Sequence, residues 1–426
     1  MNIGIVTTWF ERGAAYVSRQ YRDLLASDHQ VFIYARGGER SGRGDPTWDD
    51  ARVTWGSDIG PYVATYVDRR SFLQWLERSR PEVVFFNEQH FWLPVSWCSA
   101  AGIKTGAYID YYTENTIDYF AAYDFLVCNT RRHFSAFDWH EQAFHIPWGT
   151  NPELFKPKHL DLVERDKVVF FHSAGMNPKR KGTEETIRAF TDVRGPAKLV
   201  VHAQVSLRSE FPGLAGVIDS MSRDGRLQII ESTVSAPGLY HLGDVYVYPS
   251  RLDGIGLTIA EALACGLPVI IPDQPPMNEF VKPGEDHCTL LPVARQYARA
   301  DGYYWPQCRI DLNDLTQAMQ AHVDSRSTLR NRKEAARRHA CRELDWSSRR
   351  EAVLSAFRGS RILTSDRKKE ALEIVVKYEY SRIGGELDMW MKYPRLYRAV
   401  LRTSSALRST RKPFSRFVRR MLKALA

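Results

Sequence analysis

What most constrains this chain is an alternation that runs, stops and starts again. Over residues 1–150, short β-branched or aromatic runs at 3–8, 30–35, 82–87, 104–109 and 125–128 alternate with amphipathic stretches. In one such stretch, residues 16–25, Tyr16, Val17, Tyr21, Leu24 and Leu25 fall on one helical face. Strands separated by helices of this kind pair in parallel and build a doubly wound sheet. The pattern stops at Pro147-Trp148-Gly149-Thr150-Asn151-Pro152 and Lys156-Pro157-Lys158, where proline, glycine and polar residues cluster without periodicity. It resumes at Lys167, with strands expected at 168–172, 198–202, 227–230, 245–248 and 268–271. Helices are expected at 183–191, 257–264, 312–324 and 329–344, and Asp345 or Ser347 caps one more running to Phe357. The α/β pattern therefore reads as two Rossmann-like doubly wound domains, 1–150 and 151–358, and a basic helical extension, 359–426.

A length of 426 residues accommodates two such domains and an appendage. The six cysteines lie far apart with no C-x-x-C pair, which predicts reduced cytosolic thiols rather than a zinc site or disulfide framework. The chain opens directly on a strand, so no secretory leader is expected, and no run of apolar residues is long enough to span a bilayer. Its net charge of +9 is unevenly spread. Residues 361–426 hold 17 Lys or Arg against 6 Asp or Glu, which leaves a net −2 on the first 360 residues. A nucleic-acid-binding protein should carry its basic footprint on the folded domains, so no nucleic-acid partner is expected.

The segment richest in chemistry runs from Tyr248-Pro249-Ser250 through Asp253-Gly254-Ile255-Gly256-Leu257-Thr258 to Glu261 and on to Gly266-Leu267-Pro268-Val269-Ile270. A strand ends near Tyr248, a loop with two glycines follows, and a helix of good formers then runs until Gly266. Gly254 and Gly256 lack a Cβ and let backbone N–H groups approach an anion. The helix start beyond them adds unpaired donors and a positive dipole end, a ready site for a diphosphate. Asp253 precedes that site and Glu261 follows one turn into the helix, both placed to accept hydrogen bonds from sugar hydroxyls. Ser173-Ala174-Gly175-Met176-Asn177-Pro178-Lys179-Arg180-Lys181-Gly182 sets three consecutive cations before another helix. Read from the residues alone, that cluster is either a polyanion grip or a solvated surface patch.

The string around Asp253 resembles glycosyltransferase family 4, whose signature sets two acids, with seven residues between them, after Pro-Ser and around Gly-Phe-Gly-Leu. Asn278-Glu279-Phe280-Val281 and the stretches 124–129, 145–155 and 243–250 are similar to the family as well. The resemblance implies a GT-B fold: two Rossmann-like domains facing a central cleft, with the acceptor on 1–150 and a nucleotide sugar on 151–358. It implies that the last helix, near 347–357, packs back on the first domain. In its terms Glu261 holds the ribose and Asp253 the donor sugar. Gly254, Ile255, Gly256, Leu257 and Thr258 offer backbone to sugar and diphosphate, and Gly13 approaches the phosphates. Lys181 matches a diphosphate-gripping lysine. The family's arginine position holds Met176, and Arg180 is the substitute. A family His-Asp pair reads Ile109-Asp110 here, which leaves Asp110, and the first acid, usually Glu, is Asp253.

The function implied is transfer of a sugar from a nucleotide diphosphate donor to a glycan or lipid-linked acceptor, with retention of configuration. Asp253, Lys181, Arg180 and Asp110 form the catalytic set. Two alternatives remain: a nucleotide-sugar epimerase of the same fold, and a sugar-nucleotide-binding or scaffold protein with weak turnover. Trp9 and Phe10, in the loop after the first strand, and Glu88 and His90, after the strand at 82–87, are the acceptor-side candidates. No Asp-x-Asp motif or His cluster is present, so no metal or other cofactor is expected. From 389 to 426 eleven basic residues and no acidic one are interleaved with apolar residues. That pattern fits contact with an anionic membrane surface, with the enzyme cytoplasmic or peripheral on the inner face.

Overall fold

The first domain is a sheet of seven parallel strands. They are β1 (Asn2–Thr7), β2 (Gln30–Ala35), β3 (Val53–Trp55), β4 (Val83–Asn87), β5 (Lys104–Tyr108), β6 (Phe125–Cys128) and β7 (Ala143–His145), in the order β3-β2-β1-β4-β5-β6-β7. Its central strands read as continuous apolar runs because helices cover both faces, and Ile3, Ile5, Val83 and Val84 are fully buried. The second sheet comprises β8 (Val168–Gly175), β9 (Ala197–Ala203), β10 (Leu227–Glu231), β11 (Val245–Val247), β12 (Val269–Pro272) and β13 (Cys288–Leu291), ordered β10-β9-β8-β11-β12-β13. An antiparallel hairpin follows, β14 (Val293–Tyr297) with β15 (Gln307–Ile310). The structure is a computed structural model; it describes residues 1–37, 42–57, 63–158 and 166–392, with side chains as far as Gly384.

In each sheet the strand order reverses beside the first strand, between β1 and β4 and between β8 and β11. Crevices open at the carboxyl ends of strands at such a reversal. The two domains face each other through these ends, and one cleft of about 880 Å³ lies between them.

After the second sheet the chain returns to the first domain. Trp346 lies against Tyr21 and Trp148, and the helix Arg350–Gly359 places Phe357 between Phe85 and Phe125. The Lys104 ammonium donates to the Phe357 and Ser360 carbonyls, each at 2.7 Å. The basic extension does not begin as a free appendage. The helix Asp366–Lys392 runs along the first domain and buries Ala371, Val375 and Ile383 there. The Lys368 ammonium meets the fully buried Asp124 at 2.5 Å, and the buried Glu379 accepts the Trp92 N–H at 3.0 Å. Amphipathic packing outweighs the like charges because each inward polar group has a partner. The expected membrane contact through 389–426 falls outside the described side chains. Among the described residues no helix is long and apolar enough to cross a membrane.

Candidate active site

Local chain geometry brings the two motifs of the second domain together. Gly182 has φ of 73°, and a Cβ there would sit 2.2 Å from the Pro249 carbonyl oxygen. Only glycine lets the loop 176–182 lie flat against Pro249-Ser250. The loop thereby sets Arg180 and Lys181 beside Asp253. The Arg180 guanidinium and the Lys181 ammonium each reach the same Asp253 oxygen at 2.7 Å, and the Tyr248 hydroxyl donates to the other at 2.6 Å. Lys181 also donates to the Tyr248 hydroxyl, and Arg180 to the Leu252 carbonyl. Lys179 turns away to Glu210 at 3.2 Å, so two of the three consecutive cations face the cleft.

Opposed charges at that distance fix the protonation states. Burial pushes the Asp253 carboxyl up, but Lys181 and Arg180 outweigh it and bring it to about 2. Burial lowers Lys181 to about 8 against the pull of Asp253, with Arg180 adding to the fall. At neutral pH the cluster holds two positive charges and one negative, so a net positive charge faces the cleft.

The helix Leu257–Ala264 starts from Gly256, whose φ of 95° turns the chain into it. Gly254, Ile255, Gly256, Leu257 and Thr258 all line the cleft, and Gly13, at the start of the helix Gly13–Leu25, faces them from the first domain. A Cβ on Gly13 would lie 3.5 Å from the Leu257 side chain. Glu261 lies one turn into its helix, and Tyr240 donates to its carboxylate at 2.5 Å. Burial raises Glu261 to about 7, opposed by the Tyr240 hydrogen bond and by Lys181.

Across the cleft, Asp110 follows β5 with its Cβ 3.9 Å from where a Cβ on Gly254 would lie. Its carboxyl lies beside that of Glu88. Burial, then the Glu88 charge, holds it well above the usual carboxylate range. Glu88 has a φ of 50°, uncommon for a residue with a side chain, and pairs with Arg12 at 3.3 Å. Phe10, Glu88 and Asp110 line the cleft.

Two acceptor-side expectations need correction. Trp9 is 2% exposed, its indole N–H donates to the Trp48 carbonyl and its ring meets Trp48 edge to face, so it is core. His90 is not among the residues that line the cleft; it packs edge-on against Tyr111, which is, and burial lowers it to about 4.

Several residues at the site were not foreseen. Arg299 and Tyr303, from the segment between β14 and β15, line the cleft, and Tyr303 stacks on Tyr111 with ring centroids 5.2 Å apart. Tyr240 belongs to the same group. Nothing in the sequence ties position 303 to position 111, and only the fold brings them together. Tyr248 ended a recognised strand, yet its hydroxyl gave no signal of its own.

Residues 166–301 match the family model described as Glycosyl transferases group 1. That match lies wholly within the second domain. A curated relative, the lipopolysaccharide core biosynthesis mannosyltransferase LpsB of Rhizobium meliloti (strain 1021), is 29% identical over 104 residues. That match spans 24% of this chain and 25% of the relative. Among solved structures, sucrose-phosphate synthase from Thermosynechococcus elongatus superposes with a TM-score of 0.65 at 18% identity, over 84% of this chain and 98% of that one. Anabaena Alr3699/HepE in complex with UDP and glucose gives a TM-score of 0.66 at 13% identity, over 84% and 99%. The architecture is GT-B, as the sequence resemblance implied. In GT-B terms, the cations, the glycine loop and Glu261 belong to the second domain and the carboxyl pair to the first.

Proposed function

We propose that the chain is a glycosyltransferase that moves a sugar from a nucleoside-diphosphate donor to an acceptor seated on the first domain. The observation that carries this reading is the cluster of Lys181, Arg180 and Asp253 beside the Leu257 helix start, with Glu261 one turn behind. Charge gathers on the departing diphosphate as the glycosidic bond breaks. Fixed cations and helix N–H groups at that point stabilise the transition state. Glu261 holds the ribose, and Asp253 tethers the two cations while its loop presents backbone to the sugar. Asp110 and Glu88 lie where the acceptor hydroxyl arrives. Retention of configuration follows if the acceptor enters on the face the diphosphate leaves, with a departing phosphate oxygen taking its proton.

The acceptor is proposed to be a glycan or lipid-linked glycan, and the enzyme to work in the cytoplasm or at the inner membrane face. LpsB is by name a lipopolysaccharide core mannosyltransferase, which supports an envelope glycan as the product class. A second reading is favoured by one observation: the Asp253 carboxylate is already engaged by three groups, as in a binding protein without turnover. The two part on one experiment. The full chain is incubated with UDP-, GDP- and ADP-sugars and free nucleoside diphosphate is measured. Release that Lys181→Ala abolishes supports the transferase; tight binding without release from any donor supports the alternative. Interconversion of the sugar would make it an epimerase.

A further inference from the structure

The loop that carries Asp253 is held from the opposite domain. The helix Arg131–Phe137 begins after β6 of the first domain, capped by the Thr130 hydroxyl, which accepts the His133 N–H. From its first turn the buried Arg132 guanidinium donates to the Asp253 carbonyl at 2.5 Å and to the Pro275 carbonyl at 2.6 Å. The next side chain, His133, is fully buried and sets Nε2 at 2.9 Å from the Gly254 carbonyl oxygen. Glu279 of the second domain accepts the backbone N–H groups of Arg131 and Arg132 in return.

The hydrogen-bond roles behind His133 are forced. A carbonyl oxygen only accepts, so Nε2 carries the proton. Burial lowers His133 to about 3 and keeps the ring neutral, so Nδ1 is an acceptor. The Tyr112 hydroxyl, 3.0 Å from Nδ1, therefore donates to it. The Tyr112 oxygen in turn receives the Trp305 indole N–H at 2.5 Å. Trp305 belongs to the segment between β14 and β15 of the second domain, and its ring also faces the Arg132 guanidinium. One directional chain, Trp305 to Tyr112 to His133 to Gly254, leaves the second domain, crosses the first and returns to the donor loop.

We propose that Arg132, His133 and Tyr112 are positioning residues for the donor-sugar loop. Building on the transferase reading, they hold the Asp253 and Gly254 carbonyls so that the sugar's anomeric carbon faces Asp110 only when the two domains are closed. They reach the loop through the Asp253 and Gly254 carbonyls, and not through Lys181, Arg180 or the Leu257 helix, the groups that grip the diphosphate. Mispositioning of about an ångström costs an enzyme up to about a hundredfold in rate while binding of the remote part of the ligand persists.

The test uses the full-length protein and whichever sugar nucleotide gives release in the donor panel. Tyr112→Phe and His133→Phe are expected to lower kcat by about tenfold or more. Their Kd for the matching nucleoside diphosphate, measured by calorimetry, should stay within about twofold of the wild type, which also certifies folding. His133→Gln, whose amide N–H reaches toward the same carbonyl, should recover part of the loss. Unchanged kcat in both Phe variants overturns the proposal. So does a parallel loss of nucleotide affinity and kcat, which would make the residues general supports of the interface. A wild type that neither binds nor turns over any sugar nucleotide would sink the transferase reading instead.

Discussion

The two walls of the cleft are built differently. The wall proposed to hold the donor comes from one domain and mostly from two contiguous motifs, and each of its acids has a partner: Asp253 lies between Lys181 and Arg180, and Glu261 accepts from Tyr240. The wall proposed for the acceptor gathers Phe10, Glu88 and Asp110 from separate loops of the first domain and adds Arg299 and Tyr303 from the second. At its centre the Asp110 carboxyl, held well above the usual carboxylate range by burial and by the Glu88 charge, lies beside Glu88, which pairs with Arg12. A wall made of local motifs supports one kind of ligand across many sequences. A wall assembled from distant loops changes its ligand by changing any one of them.

The largest expected effect tests the donor wall. Lys181→Ala should lower kcat for nucleotide release by about 10²- to 10³-fold, as loss of a preorganised transition-state donor does. Steady-state assay of the best donor measures this, and full retention of turnover would break the contrast at once. Next comes the acceptor wall. Asp110→Asn should slow transfer to an acceptor glycan by about ten- to a hundredfold, while the Kd for nucleoside diphosphate stays put. If calorimetry finds the two falling together, the walls are not separable.

The pH profile sharpens the donor side further. Glu261, raised to about 7, must lose its proton to accept ribose hydroxyls, so kcat/KM should rise with pH through that value. Lys181, lowered to about 8, loses its charge as pH rises through it, so kcat/KM should then fall. The expected curve is a narrow bell, and Glu261→Gln should flatten its acid limb alone. A smaller change is expected from Tyr240→Phe, which removes one hydrogen bond to Glu261. That loss is worth about 1 kcal/mol, or roughly fivefold in nucleoside diphosphate affinity. At the bottom of the scale, His90→Ala should leave acceptor KM within about twofold, because Tyr111, and not His90, is among the residues that line the cleft.

The same contrast explains how much was legible in the sequence. The helix 257–264 and the strand 30–35 match the observed elements residue for residue, and Asp253, Glu261 and Lys181 line one cleft. Those features are local: a period, a glycine, a fixed spacing. The strands β3 and β7 are three residues each, too short to show a period. The hairpin strand β14 reads Val-Ala-Arg-Gln-Tyr, without the apolar alternation that marks a half-buried strand. Trp9 misled because an aromatic residue in a loop after a strand looks the same whether it faces solvent or Trp48. Arg132 and His133 gave no signal, since their partners lie more than a hundred residues away.

The return of the chain to its starting domain has a consequence for how the protein is made. Asp124 is sealed by Lys368 and the Leu363 N–H, and the Trp92 N–H by Glu379. As the polypeptide emerges from the ribosome, the N-terminal sheet can form early but must wait, one flank uncovered, until Glu379 is synthesised. Domains usually complete themselves in order of synthesis. Here the half that is born first is finished last, and shortening the C-terminus to residue 360 would take both the Lys368 and the Leu363 partners from Asp124, near the opposite end of the gene product.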